Sequence, residues 1–598
     1  IVSCAVNSPV MVKARLFAGG FSGVARNGVM KGALSDLGVE LVRVAQPQSV
    51  TQECSVVAGA SVEAASYAGG FAGAFSNSYS INDTISGPVA VRATIHSEES
   101  GDEAKSYALA GGFAGAATLG WVSDLGKSEN APEENNLIGL VGDLLTDVLE
   151  GKDSDGRRDA LLTLLGVDES AILGAKISGG TITVESAGDY AGGLLGRGDG
   201  TLVAASDDAH CSKLKIYSRA DGLLSKPNTP RGNTISQLAM VKASGSHAAG
   251  VAGLMGTASV GGVLDRTVGL GGYLPFELSD VTVTGVAEGA TVVAGDAYAG
   301  GAVAEATGGS CTNVHIKDIV SVRAGTRAGG FAGAMGPGNL ANGGGLDLLG
   351  LGAIDITGLL SVGEGVNVTA ENCTVSGHAN GFTVETTKDT KPDAGVPAAT
   401  AGGFVADNRS AQLSNCNVKG LHRVMADNDN GAAGGFVGNS ETGGLADVAD
   451  SASILALGSI ADLLNAVPYL IPKYSDCNVT YAGDAIVAAD EAGGFAGVFR
   501  SGVVEGDADQ WAVNGLKSVE GGSYAGGFAG LLTSGALAAA ADGGGGLSIL
   551  GGIKGLRIDV SDLIGLVDAY VAKVSYAGVN SPDGFTVRAS RIDALDTN

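Results

Sequence analysis

Apolar and polar residues alternate along this chain in short runs such as Val89-Ala90-Val91, Thr181-Ile182-Thr183-Val184, Val281-Thr282-Val283 and Trp511-Ala512-Val513. Alternation with a period of two predicts strands that bury one face. A glycine motif recurs between these runs. It reads Ala-Gly-Gly-Phe-Ser-Gly at Ala18 to Gly23 and Tyr-Ala-Gly-Gly-Phe-Ala-Gly at Tyr67 to Gly73, with further copies at Gly111, Gly192, Gly300, Gly329, Gly402, Gly434, Gly493 and Gly526, and a degenerate one at Gly250. Between copies, a strand-like segment often opens Cys-x-Val. Cys4, Cys54, Cys373, Cys416 and Cys477 carry Val two residues on, while Cys211 and Cys311 show Leu214 and Val314 at three, so all seven cysteines are read as one repeat position.

Eleven such two-part units, with a partial twelfth near Ile558 and Tyr576, predict a right-handed parallel β-solenoid (β-helix) of about 11–12 coils running continuously over residues 1–598. Phe21, Phe71, Phe113, Phe331, Phe404, Phe436, Phe495 and Phe528 are expected to stack as one internal ladder. The linkers after the glycine motif alternate between long and short. Long insertions are therefore expected on alternate coils, at about 24–53, 116–180, 254–280, 334–372, 439–476 and 531–557. Several look helical: Leu137, Ile138, Val141, Leu144, Leu145 and Val148 share one helical face, as do Leu455, Ile460, Leu463, Leu464 and Val467, and Val560, Leu563, Ile564, Val567, Tyr570 and Val571. Insertions on every second coil emerge about 9.6 Å apart, the distance at which helices pack side by side. The expected class is thus all-β with helical insertions.

Composition agrees with an array. A chain of 598 residues is too long for one compact core. Its 99 glycines without a three-residue period exclude collagen, and 45% hydrophobic residues exclude a disordered glycine-rich linker. A net charge of −27 excludes a sequence-independent grip on nucleic acid. The longest uncharged stretch, Ala243 to Leu264, is broken by His247, Gly and Ser, so no membrane span is expected. Ile1-Val2-Ser3-Cys4 already reads as strand and lacks an initiator Met, which suggests a fragment of a longer protein.

The Ala-Gly-Gly-Phe-x-Gly units with interspersed Cys-x-Val strands resemble the repeats of large Gram-positive, especially actinobacterial, cell-surface proteins of the parallel β-helix adhesin type. The resemblance covers essentially the whole chain and implies an extracellular location at the cell surface or cell wall. It also implies a structural or adhesive role without catalysis, and as partner a host or neighbouring-cell surface protein or glycan, or further copies of the chain.

Candidate chemistry is sparse. The stacked cysteines read as free buried thiols rather than bridges, because in-register side chains point parallel. Asp153, Asp155 and Asp159, around Gly156, resemble a small calcium loop but lack the full ligand set, and a plain turn is the competing reading; no other cofactor is expected. Asp427-Asn428-Asp429-Asn430-Gly431 reads as a corner. Asp207-Asp208 with His210 is the main catalytic suggestion, yet adjacent acids on a strand face opposite ways, so no catalytic residue is assigned. Arg197-Gly198-Asp199 invites a cell-adhesion reading only in an exposed loop, and the sequons at Asn82, Asn367, Asn372, Asn408 and Asn478 would be unused in a bacterium. The alternative function is a polysaccharide lyase or hydrolase on the same fold. A groove with two or three carboxylates within about 10 Å would favour it.

Overall fold

The computed structural model describes residues 1–26, 49–95, 108–118, 170–217, 224–258, 275–338, 367–388, 399–426, 429–443, 471–507, 511–533, 572–575 and 578–590. They wind into eleven complete coils and the start of a twelfth, and strands in equivalent positions pair in parallel from coil to coil. The third coil shows the plan: Ser78–Ile81, Thr84–Ser86, Val89–Ala93, Leu109–Gly111 and Ala114–Thr118. The last strand of each coil, directly after the glycine motif, belongs to an 11-stranded sheet that runs from Ser22–Arg26 to Ala529–Leu532; the other strands form the remaining sides. The chain is therefore a parallel β-solenoid.

Two inward columns of β-branched residues run through all twelve coils. One is valine throughout: Val12, Val62, Val91, Val184, Val241, Val292, Val322, Val384, Val424, Val487, Val519 and Val587. The other begins at Val6 and Val56 and passes through Ile85, Ile177 and Ile235 to Val513 and Val579. Residues branched at Cβ are stiff and pack well on pleated strands, so identical neighbours interlock without rotamer choice. The phenylalanine column is two stacks rather than one. Phe21, Phe71 and Phe113 stack, as do Phe331, Phe404, Phe436, Phe495 and Phe528, with centroids 4.6 to 5.1 Å apart. Leu194, Val251 and Ala302 hold the position between, and the backbone bonds continue unbroken from Phe113 to Phe331.

The corner before the cysteine column needs a left-handed residue. Glu53, Asn82, Asp280, Asn313, Asn372, Asn415 and Asp476 occupy it with φ between 49° and 56°; Asn and Asp tolerate this region better than other side chains. The next residue points inward, where a corner leaves carbonyls to be satisfied. Cys373, Cys416 and Cys477 aim Sγ at carbonyls 3.3 to 3.6 Å away, and Asn233 donates Nδ2 to the Ala204 carbonyl at 2.9 Å. A small residue with a donor suits the place. All seven thiols are free, and only Cys4 is exposed. They do not share one position, however. Cys311 pairs with Ala370, three residues before Cys373, and Cys211 lies in a short helix off the coil.

Long and short links alternate after the 11-stranded sheet, as the sequence suggests. One or two residues join Ser76 to Ser78, Asp199 to Leu202, Thr307 to Gly309, Arg409 to Gln412 and Phe499 to Gly502, whereas long stretches separate Arg26 from Ser49, Thr118 from Ala171, Gly256 from Phe276, Gly336 from Val368, Glu441 from Lys473 and Leu532 from Ala572. Two of the expected bounds, 116–180 and 254–280, are too wide at their ends, and 531–557 stops short of the next strand at Ala572–Val574. Ala171–Leu173 and Lys176–Ser178 are strands inside 116–180, and Phe276–Gly285 begins inside 254–280. The three proposed helical faces lie outside the described residues. A further excursion at 205–232, taken for strand because of Cys211, leaves the coil after Leu202–Ala204. Its helix Asp208–Lys213 and 3-10 turn Lys215–Tyr217 place Cys211, Leu214, Ile216 and Tyr217 over Tyr79, Ile81, Leu173 and Leu202.

Inside the early coils sits one buried acid. Asp83 accepts from Thr51 Oγ1, Ser80 Oγ at 2.7 Å and the Cys54 amide at 2.7 Å. Burial pushes its carboxyl up to about 6, more than these bonds lower it. The folded chain therefore holds a proton that the unfolded chain releases, and stability falls as pH rises from 3.8 to about 6. Asp83→Asn, which copies Asn233 two coils on, is expected to raise stability at pH 7 by up to about 3 kcal/mol, a gain that disappears near pH 4. Denaturant melts at the two pH values check this. Phe404→Ala should cost about 3–5 kcal/mol, because the ring is fully buried between two others.

Candidate binding groove

On the outer face of the 11-stranded sheet, the residue after the glycine motif forms a column. It reads Val24, Ala74, Ala116, Arg197, Leu254, Glu305, Ala334, Asp407, Asn439, Val498 and Leu531. Both ends are apolar, and the charges fall on the central coils. A second column, the residue that opens Tyr-Ala-Gly-Gly, runs beside it: Phe17, Tyr67, Leu109, Tyr190, His247, Tyr298 and Arg327. Tyr190, His247 and Tyr298 stack with centroids 4.8 and 4.9 Å apart. Guanidinium groups join the stacks, with Arg197 5.7 Å from the Tyr190 centroid and Arg327 5.5 Å from that of Tyr298.

Between the charges the surface dips. Ala334 and Gly336 lie on the coil between Glu305 and Asp407, and they help line a groove of about 380 Å³ bordered by Arg197, Tyr298 and Arg409. The acids are engaged by Arg and His side chains. Glu305 Oε2 lies 2.9 Å from His247 Nε2, and Arg197 Nε donates to Asp199 at 2.8 Å. Arg327 Nε donates to Asp407 at 3.1 Å, Arg409 Nε lies 3.2 Å from the same carboxylate, and Asn439 Nδ2 donates to it at 3.1 Å. Burial raises the Asp407 carboxyl, but Arg409 and Arg327 outweigh it and hold the group below the usual range. For Asp199 burial wins over Arg197, and the carboxyl is raised. The chain of charges continues from Arg409 to Glu441 at 3.5 Å and to Arg500 at 3.9 Å.

Of the other sequence candidates among the described residues, Arg197-Gly198-Asp199 lies at this groove. Arg197-Gly198-Asp199 is not an exposed loop; it lies in the strand Leu195–Asp199, and its two charges pair with each other. Asp207 caps the helix Asp208–Lys213, and its carboxylate lies 2.7 Å from His210 Nδ1. Glu277, on the next coil, lies 3.0 Å from His210 Nε2 and takes Lys213 at 2.7 Å. Asp207, His210 and Asp280 come within 4.8 Å of one another. Both ring nitrogens already face carboxylates, so the ring is held between Asp207 and Glu277. His210 thereby latches the 205–232 excursion to the coils rather than facing the groove. Asp153, Asp155, Asp159 and Asp427 lie outside the described residues. Three sequon residues, Asn82, Asn367 and Asn408, are buried. Sequence reasoning missed Glu305, Asp407 and the tyrosine column; their signal was the changing residue on either side of each glycine motif.

No protein-family model, no curated protein and no solved structure matches this chain. Among the described residues, no helix is long and apolar enough to cross a membrane.

The latch should respond to pH. Hydrogen bonding to Glu277 raises the His210 value despite partial burial, and Asp207 adds to the rise. Burial raises Glu277, but His210 and Lys213 outweigh it and bring the carboxyl down to about 2. The His210 contribution is thus complete below its unfolded value and is lost as pH rises through the raised folded one; that of Glu277 is lost as pH falls toward 2. The Cys211 amide, bonded to the Asp207 carbonyl at 2.9 Å, should exchange its hydrogen faster above the imidazole titration, after correction for intrinsic rates. His210→Gln should abolish that step. An exchange rate indifferent to both changes would show that the apolar contacts alone hold the excursion.

Proposed function

We propose that this chain is a structural and adhesive rod of an extracellular surface protein, in which the coils are scaffold and the charged groove is the binding surface. The observation that carries the reading is the state of the groove's acids: Asp199, Glu305 and Asp407 each lie against Arg or His partners. General acid–base work needs a carboxyl poised to exchange its proton with substrate, and paired, fixed carboxylates suit recognition instead. The surface location rests on the resemblance of the glycine repeats to cell-surface adhesins, and the partner is a surface protein, a glycan or a second copy.

One observation favours a second reading. Glu305 and Asp407 stand two coils apart in the same column, about 9.6 Å along the axis, which is close to the separation of the two carboxyls in inverting glycoside hydrolases. The two readings part on incubation with immobilised neutral and acidic polysaccharides. The rod should retain polysaccharide without releasing new reducing ends or unsaturated sugars, and Ala334→Trp, which fills the dip, should lower retention at least tenfold. Product release that disappears in Glu305→Gln would replace the rod by the enzyme.

A further inference from the structure

We infer that the groove takes a strand of acidic polysaccharide, with Arg197 gripping a uronate carboxylate while Glu305 accepts sugar hydroxyls. The inference rests on the reading of the groove as a binding surface and specifies its ligand. Arg197 spends Nε on Asp199 and lays its guanidinium against Tyr190, and among the described residues its terminal amino groups make no hydrogen bond. A guanidinium fixed at Nε and by stacking presents two parallel donors, the geometry that matches a carboxylate bidentately. Glu305 gives Oε2 to His247, and among the described residues Oε1 takes no hydrogen bond.

The aromatic rings narrow the class further. Tyr190, His247 and Tyr298 lie face to face along the axis, and Arg197 and Arg327 lie against the two tyrosines, so their ring faces are covered. A neutral sugar that depends on stacking over an open ring finds no platform here. Recognition has to come from charge and hydrogen bonds. An acidic peptide could satisfy Arg197 but would bring its carboxylates against Asp199 and Glu305. A uronide carries one carboxylate per ring amid hydroxyl donors, and so answers both signs. Length agrees as well: from Arg197 on the fourth coil to Arg409 on the eighth is about 19 Å, enough for several sugar rings laid along the axis.

The test is calorimetric titration of the whole chain with a tetragalacturonate and with its methyl ester, which keeps the shape and removes the charge. The acid should bind at least tenfold more tightly than the ester, and its affinity should fall with added salt while that of the ester stays level. Arg197→Ala should bring the acid down to the affinity of the ester, and Arg197→Lys should recover only part of the difference; far-UV circular dichroism of both variants guards against misfolding. Equal binding of acid and ester, or a preference for the acid that survives Arg197→Ala, overturns the inference and leaves the groove as a binding surface. If neither sugar binds, and no polysaccharide of either kind is retained, the inference and the reading beneath it fall together.

Discussion

The close approach of backbone at the double-glycine corner is the constraint on which the rest depends. A Cβ on Gly111 would sit 1.7 Å from the Ala114 carbonyl oxygen, and one on Gly112 would sit 2.1 Å from that of Gly193 on the next coil. No side chain relieves an overlap with backbone, so the second position of the corner, which faces the next coil, is glycine from Gly20 to Gly527, whereas the first, which faces its own coil, also takes Ala249. Once the coils stack, each amide bonds the coil below in fixed register: Phe71 to Phe113, Phe113 to Leu194, Leu194 to Val251, Val251 to Ala302 and Ala302 to Phe331, at 2.8 to 3.0 Å. Register then brings valine over valine through twelve coils. The aromatic stacks add contact area, but they do not set the spacing, which passes unchanged through three coils that lack them.

Fixed register also turns the surface into columns in which any residue finds its neighbours at predictable distance. One outward column alternates in sign: Lys13, Glu63, Arg92, Glu185 and Lys242 follow one another, and Arg323 and Glu385 do so further on. Lys13 and Glu63 meet at 2.6 Å, Arg323 and Glu385 at 3.2 Å. Such exposed pairs contribute little stability singly; their consistent alternation opposes any slip by one coil, which would set like charges together. The groove is the same device put to another use. Charged residues on alternate coils, Arg197, Glu305 and Asp407, with Leu254 and Ala334 between, line a depression without disturbing the backbone pairing.

The fold was legible because its determinants are local. Glycine spacing, period-two alternation and the Cys-x-Val segments each lie within a few residues, and the rule that long linkers follow every second coil is read by counting from one such motif to the next. Misreadings arose where a residue type stood in for a position. Cys211 followed by Leu214 looked like another column strand, yet it caps an excursion, and Cys311 shares chemistry with Cys373 but not register. The eight phenylalanines were expected to stack as one ladder, but Leu194, Val251 and Ala302 satisfy the same inward site with less bulk and divide it in two. The groove was illegible for a different reason. Arg197, Glu305, Asp407 and their partners lie on separate coils, scores of residues apart, and only the register found in the structure brings them together. The same holds for His210 and Glu277.

Hydrogen exchange at the motif amides tests most directly the claim that backbone register, not aromatic stacking, carries the solenoid. The amides of Leu194, Val251 and Ala302, whose coils lack the phenylalanine, should exchange as slowly as those of Phe71, Phe113, Phe404 and Phe436, since all make the same bond to the next coil. Markedly faster exchange confined to Leu194, Val251 and Ala302 would contradict the account, because it would show that the rings hold the coils together and that the glycine corner merely permits it.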